Sequence, residues 1–458
     1  MVRRATGRSG GLSVRVTMIG SGYVGLVTGI CLAEVGHDVT CVERDADRVE
    51  RIMAGHAPIH EAGLEPLLRK HVGTTFRVTT DLATAVAAGE VTVIAVGTPS
   101  REGRIDLADV TAAASQIGAA LPKDGFPVIV VKSTVIPGTT DTVVRTALED
   151  ASGRNAGVDF GVAVNPEFLT EGRAVADFMA PDRIVLGADD ERSLRLLREL
   201  YAPFAGVDIV EVNTRTAELI KYASNALLAT AISFSNELAN LAESIGGIDL
   251  VEVMRGVHRS RYLTVRNGDQ QAATAELADF LLAGGGFGGS CLPKDVSALV
   301  ATGIDRGEQM PLLSAVLEVN QARSDRLIGM LREELATLRG RRIGVLGLAF
   351  KPDTDDVRES PALRLIERLV GEGAIVRAHD PVVREADVPT LADAGITIER
   401  DLVAIVEGVE ALVLVTAWAD YRRLPALVAA APDPPIVVDG RRMIPADSVA
   451  RYRGIGLR

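Results

Sequence analysis

Gly20-Ser21-Gly22-Tyr23-Val24-Gly25 is the stretch that decides the fold. It follows an apolar run, Val14 to Gly20, and opens a helical pattern, Tyr23 to Val35. Gly20 permits a tight turn, Gly22 lets the backbone approach a pyrophosphate, and Gly25 lets the helix pack on the strand. The helix N-terminus then offers N–H groups and a positive partial charge to an anion. Glu43 closes the next strand, 23 residues after Gly20. Its carboxylate would accept hydrogen bonds from an adenosine ribose and repel a 2′-phosphate, which favours NAD over NADP. Arg44 and Arg48 blunt that preference, because either could pair with a phosphate.

Outward from this hexad the first half of the chain alternates. Val14 to Gly20, Asp38 to Glu43, Val91 to Thr98, Val128 to Thr134, Val158 to Asn165 and Arg183 to Gly187 read as strands. Most are nearly continuous in Val, Ile and Ala, as strands buried on both faces should be. Helical patterns such as Leu107 to Leu121 separate them, giving the βαβ rhythm of a doubly wound parallel sheet. Thr214 to Ile245 is helical without Gly or Pro, long enough at about 1.5 Å per residue to reach beyond about 40 Å. A second helical stretch, Met310 to Leu338, follows a glycine-rich segment, and Arg259 to Glu276 is polar and irregular, the pattern of a mobile loop. Arg341 to Phe350, Ala374 to Asp380, Ala411 to Thr416 and Pro435 to Asp439 then restart the strand alternation.

The predicted fold class is therefore α/β, with two Rossmann-like doubly wound domains joined by a long-helix α-helical central domain. The predicted boundaries are 1–13 for a flexible tail, 14–212 for the first domain, 213–338 for the centre and 339–458 for the last.

The length of 458 residues suits about three domains. A hydrophobic fraction of 47% excludes general disorder. With 49 Lys+Arg against 61 Asp+Glu the formal net charge is -12, which argues against nucleic acid or anionic lipid as partner. Any phosphate-bearing ligand must be held by local cations working against that field. Three cysteines without CxxC spacing, Cys31, Cys41 and Cys291, point to a reducing cytoplasm. No apolar run is long enough for a signal peptide or a membrane span, and no metal-ligand pattern is present.

Several constellations carry chemistry. Thr98 and Thr134 each sit at the carboxyl end of a strand, where open parallel sheets bind ligands; each could equally serve the turn. In Asn165-Pro166-Glu167-Phe168-Leu169-Thr170-Glu171-Gly172, Glu167 is a candidate general base or part of a solvated loop. Lys221 and Asn225 share a face of the long helix. A Lys in that apolar setting needs an anionic partner, such as an oxyanion or phosphate, unless it reaches solvent. Five glycines around Phe287 lead through Ser290 into Cys291, Lys294 and Asp295. Such a loop can wrap an anion or a sugar with its N–H groups, and a nearby Lys or helix N-terminus would favour a thiolate at Cys291. Cys31 and Cys41 fall within a helix and a strand and read as inert. The stretch Gly347 to Pro361 lacks a third fingerprint glycine and offers Lys351 and Arg358 instead; Asp439-Gly440-Arg441-Arg442 adds cations to the same end of that sheet.

Taken in order, GSGYVG, NPEFLTEG, ELIKYASNA, FGGSCLPKD and GLAFKPDTDDVRESPA resemble the motifs of the UDP-glucose/GDP-mannose dehydrogenase family over about residues 14 to 445. The resemblance implies a four-electron oxidation of a sugar C6 alcohol to a carboxylate with NAD, through a thiohemiacetal and a thioester on the residue matching Cys291. It implies that Lys221 and Asn225 hold and polarise the C6 oxygen, that Glu167 is a general acid/base, and that Thr134 and Asp295 organise the hydrolytic water. By the same resemblance, Gly20, Gly22, Tyr23, Val24, Gly25, Glu43, Arg48, Thr98, Thr134, Glu171, Lys294 and Arg358 meet NAD. Glu167, Phe168, Leu169, Lys221, Asn225, Phe287, Gly288, Phe350, Lys351 and Arg441 meet the nucleotide sugar. A homodimer is implied as well.

The sequence departs from the family's pattern in one region. Relatives run briefly from a D-x-R-I-G motif, whose arginine reaches a neighbouring subunit's sugar site, to the glycine loop. Here the matching text is Gly256 to Tyr262, and about twenty further residues precede Phe280. Arg259 and Arg261 are both candidates for that arginine. The nucleotide sugar therefore stays open, with UDP-glucose first, dTDP-glucose second, and GDP-mannose or a UDP-N-acetylhexosamine third. From other classes, a two-electron 3-hydroxyacid dehydrogenase would not need Cys291 or a third domain. An NAD-sensing protein would leave Lys221, Glu167 and Cys291 without purpose.

Overall fold

The computed structural model describes residues 13–265 and 272–458, so most of the tail and residues 266–271 of the irregular segment lie outside the described residues. The chain forms two compact units, the first ending at Ala223 and the second starting at Ser224.

In the first unit, β1 (Arg15–Ile19), β2 (Asp38–Val42), β3 (Phe76–Thr79), β4 (Val91–Ile94), β5 (Val128–Val131), β6 (Gly161–Val164), β7 (Arg183–Ala188) and β8 (Asp208–Val212) form one sheet. The order is β8-β7-β6-β5-β4-β1-β2-β3. β1 to β6 are mutually parallel in the 3-2-1-4-5-6 order of a dinucleotide-binding fold. The sheet departs from an all-parallel one at β7, which pairs antiparallel to β6 through Ala163 with Ala188 and Val164 with Gly187. An antiparallel neighbour needs no crossover, so β7 begins at the edge where β6 ends and the intervening loop stays there. Residues of β4 and β5 are buried throughout, as their unbroken apolar text predicts. β3 and β8 are not evident in the sequence: β3 has four residues, and β8 is a largely exposed edge strand. Cores lie on both faces, one around Leu26, Ile30 and Phe76, the other around Val110, Ile117 and Ile129. The helix after the fingerprint, α1 (Tyr23–Glu34), is buried from Gly25 to Ala33.

The long helix, α2 (Thr214–Ile245), has the predicted bounds, and the chain passes from the first unit to the second within it. The second unit continues with α3 (Leu250–His258), α4 (Leu292–Asp305), α5 (Pro311–Gln321) and α6 (Arg323–Leu335). The predicted single helix from Met310 to Leu338 is thus two helices that meet at Ala322. Within the irregular segment, Thr264–Val265 pairs antiparallel with Ala273–Thr274.

β9 (Arg342–Leu346), β10 (Ile375–His379), β11 (Ile398–Glu399), β12 (Ala411–Leu414), β13 (Ile436–Asp439) and β14 (Tyr452–Gly454) form an all-parallel sheet ordered β11-β10-β9-β12-β13-β14. Asp439 therefore ends the penultimate strand rather than the last. Among the described residues no helix is long and apolar enough to cross a membrane.

Candidate active site

The carboxyl edge of the first sheet gathers the fingerprint residues. Gly20 takes φ +100°, and a Cβ there would lie 2.9 Å from the Ala95 carbonyl oxygen. A Cβ on Gly25 would lie 2.0 Å from the Gly20 oxygen, so strand and helix touch backbone to backbone. Gly22, the N-cap of α1, has nothing within 4 Å of the same position, leaving open space at the helix N-terminus. That is the room a pyrophosphate needs. Glu43 follows β2 and accepts hydrogen bonds from the Ser21 hydroxyl and from the Ser21 and Asp45 N–H groups. Burial raises its proton affinity, but these donors outweigh it and hold the carboxylate below its usual range. Arg48 bonds the Ser21 hydroxyl and carbonyl at 3.1 and 2.9 Å, with its Nε 3.8 Å from Glu43. These residues fit an NAD adenosine and pyrophosphate.

Tyr23 is less free than the fingerprint suggests. Its hydroxyl donates to Glu61, and the Gly172 N–H reaches both the Tyr23 oxygen, at 3.0 Å, and Glu61 Oε2, at 2.8 Å. Burial, then Glu61, pushes the phenol's proton affinity far up. Tyr23 and Glu61 thus tie the helix start to the end of the acidic loop. Val24, Thr98, Thr134 and Glu171 are half-buried.

Beyond β6 the loop carries a charged cluster. Glu167 Oε1 lies 2.9 Å from Lys221 Nζ, both side chains being almost wholly buried, and its Oε2 accepts from the Leu169 N–H at 2.6 Å. Burial opposes the charge of Glu167, but Lys221 foremost, then the Leu169 N–H and Lys132, hold it below the ordinary carboxylate range. Phe168 lies under Arg183, 3.9 Å from its ring centroid, and 5.6 Å from Lys221 Nζ; Leu169 is half-buried. Lys132, which follows β5, was not singled out from the sequence, although a lysine closing the run Val128-Ile-Val-Val131 is a visible anomaly. It is buried against Asn165.

In the second unit, Cys291 is the N-cap of α4 and exposed, whereas Cys31 and Cys41 are buried. Burial pushes the Cys31 and Cys41 thiols up to about 12. Cys291 Sγ lies 3.6 Å from the Ser290 hydroxyl. Asp295, 1% exposed, accepts from Asn225 Nδ2 at 2.6 Å and from Lys294 Nζ at 2.6 Å. Lys294 is therefore engaged by its neighbour's carboxylate.

Three N–H groups of the glycine loop are bonded within the protein. Asn236 accepts from the Gly284 N–H at 2.8 Å, Asn320 from the Phe287 N–H at 2.7 Å, and the Arg358 carbonyl from the Gly289 N–H at 2.9 Å. Phe287 is buried, and Cβ atoms on Gly288 and Gly289 would strike the Glu359 carbonyl and the Phe350 ring. Arg323, 1% exposed, donates to the Gly284 carbonyl and to Asn240 at 2.9 and 2.8 Å. None of Asn236, Asn320 and Arg323 was evident as a loop clamp from the sequence.

At the carboxyl edge of the second sheet, Phe350 and Lys351 follow β9, both half-buried. Buried Asp380 fixes that loop by accepting from the Leu348 and Ala349 N–H groups and from Trp418. Arg441 bonds the Val415 and Gly286 carbonyls at 2.5 and 3.4 Å. Arg442 instead makes a bidentate pair with Asp249 on the N-terminal side of α3. Arg358 is paired with Asp356, and Arg259 and Arg261 are exposed.

Three family models match in chain order. Residues 14–205 match the NAD-binding domain of the UDP-glucose/GDP-mannose dehydrogenase family, 215–322 its central domain and 344–446 its UDP-binding domain. The chain is 41% identical to UDP-glucose 6-dehydrogenase of Pseudomonas aeruginosa, covering 97% of each chain. It is 42% identical to that of Rhizobium meliloti, covering 97% of this chain and 99% of the relative. A UDP-glucose dehydrogenase structure from Pyrobaculum islandicum superposes with a TM-score of 0.89 at 38% identity, covering 99% of this chain and all of that one. The chain belongs to the UDP-glucose/GDP-mannose dehydrogenase family. As a member of that family it is an NAD-dependent nucleotide-sugar dehydrogenase. Family membership also accounts for the second sheet: it matches a UDP-binding model, which agrees with its lack of a third fingerprint glycine.

Proposed function

We propose that the protein oxidises the C6 alcohol of UDP-glucose to the carboxylate of UDP-glucuronate, and that Cys291 holds the intermediate covalently. The observation that carries this reading is the contrast among the three thiols. Cys31 and Cys41 are sealed in the core; Cys291 is exposed at a helix N-terminus, where an anion is favoured. The names of the 41% and 42% identical relatives support UDP-glucose as substrate.

NAD, when bound, accepts the hydride released in each of the two oxidations. Lys221 and Asn225, one helical turn apart on α2, hold the C6 oxygen and stabilise its developing charge. Glu167, ionised beside Lys221, takes the hydroxyl proton as the first C–H bond breaks. The Cys291 thiolate then adds to the aldehyde carbon and the oxygen regains a proton, giving a thiohemiacetal. Loss of that proton and of the remaining C–H hydride leaves a thioester. Water organised by Asp295 and Thr134 attacks it, the C–S bond breaks, and the thiolate returns as the carboxylate forms. Phe350, Lys351 and Arg441 meet the nucleotide, Phe168, Leu169, Phe287 and Gly288 line the sugar, and Thr98, Glu171, Lys294 and Arg358 complete the NAD site. In this reading residues 14–212 carry NAD, 213–338 the thiol and the dimer face, and 339–458 the nucleotide sugar. A reducing cytoplasm suits a free catalytic thiol.

The test is a panel of UDP-glucose, dTDP-glucose, GDP-mannose and UDP-N-acetylmannosamine scored by NADH. UDP-glucose should turn over fastest and yield two NADH per sugar; a ratio of one sinks the four-electron reading. Cys291→Ser should abolish uronate formation while NAD still binds. Normal turnover in that variant overturns the covalent step.

A further inference from the structure

The proposed reaction gives no task to Lys132, a buried charge beside the residues it does use. Lys132 is 4% exposed. Its ammonium donates to Asn165 Oδ1 at 2.9 Å and to the Asn165 carbonyl at 3.4 Å, both neutral acceptors. The amide cannot turn away. Asn165 Nδ2 donates to the Val185 carbonyl at 2.9 Å, and Oδ1 accepts a second bond from the Tyr201 hydroxyl. The oxygen is thus fixed toward the lysine.

The charged groups acting on Lys132 are Glu167 and Lys221. Lys221 contacts Glu167 directly, whereas Lys132 acts on it electrostatically, and none of the three is more than 7% exposed. A buried ammonium is costly without an anion of its own. The strand before it is wholly apolar and buried, so the ammonium stands out against its surroundings.

We propose that Lys132 is a positioning residue whose charge, oriented by Asn165 and Tyr201, keeps Glu167 ionised as the proton acceptor while Lys221 attends to the substrate oxygen. The proposal rests on Glu167 acting as the base. Burial pulls Lys132 itself down to about 8. Its folded-state charge is therefore present at neutral pH and lost as pH rises through that value.

The test compares pH profiles of kcat for the parent, Lys132→Met and Lys132→Arg at saturating NAD, with whichever nucleotide sugar of the panel gives NADH. In Lys132→Met the acidic limb should move up by about one pH unit, which is about a tenfold deficit on that limb, while NAD affinity measured by titration stays within about twofold. In Lys132→Arg the acidic limb should stay where the parent has it, because arginine keeps its charge. An unshifted acidic limb with a uniform loss of kcat in Lys132→Met overturns the proposal, since that is what a merely structural lysine would give. Should the methionine variant fail to fold, Lys132→Gln, which keeps a donor toward Asn165 without the charge, should show the same upward move, and an unshifted acidic limb there overturns the proposal. Glu167→Gln separates the two levels: full turnover there removes the base assignment, whereas lost turnover with unmoved Lys132 profiles removes only the role of Lys132.

Discussion

Gly22 and Gly25 are identical residues with opposite tasks. In Gly25→Ala the new methyl would meet the Gly20 carbonyl oxygen at 2.0 Å. Overpacking of this kind costs about 1–3 kcal/mol or more, so a clear fall in melting temperature is expected. In Gly22→Ala the methyl points into open space at an ordinary φ of -64°. Stability should hold or rise slightly, while NAD affinity falls on the order of tenfold, about 1.4 kcal/mol, as the methyl takes ligand space. Thermal melts with NAD titrations check both; a Gly22→Ala variant with parental NAD affinity would remove the pyrophosphate from that position. Both glycines were legible because the fingerprint is a local steric code. Lys132 and Glu61 were not: each gains its meaning from a partner distant in sequence, Asn165 for one and Tyr23 with Gly172 for the other.

Among the elements, the long helix was fully legible, since an unbroken 3.6-residue pattern with no Gly or Pro is its own evidence. The break at Ala322 was not. Asn320 and Arg323 flank it, and both turn inward to hold the glycine loop, so tertiary demand overrides a continuous helical text. On α2, the exposed Leu227, Phe234, Leu241 and Ile245 follow at intervals of seven, seven and four. That spacing puts them on one face, and it supports the dimer reading, with a second copy of this helix as the cover. Phe234→Asp with Leu241→Asp should halve the mass seen by sedimentation at micromolar concentration. A parent that already sediments as a monomer rejects the helix as a dimer face.

For the molecule as a whole, stability depends on contacts that tie late chain to early chain within a unit. Arg442 and Asp249 form such a bidentate pair at 2.9 and 2.8 Å. The Arg442 guanidinium holds the Asp249 carboxyl below its usual range. A depressed carboxylate adds stability above its unfolded value, near about 4, and loses it as pH falls through the folded value. Arg442→Met should therefore cost about 2 kcal/mol at pH 7, and the gap to the parent should close as pH drops below about 4. A gap that persists undiminished in acid, in melts followed across that range, would show that the loss is one of packing. The sequence by itself determined the α/β alternation, the dinucleotide fingerprint, the long helix and the candidacy of one cysteine of three, because each is written in neighbouring side chains through periodicity and steric fit. Only the tertiary structure decided the antiparallel turn of β7, the clamped glycine loop and the two-lysine setting of Glu167. Those outcomes depend on which charges and hydrogen-bonding groups meet once separate strands close into a sheet, and burial there raises the energy of every such meeting.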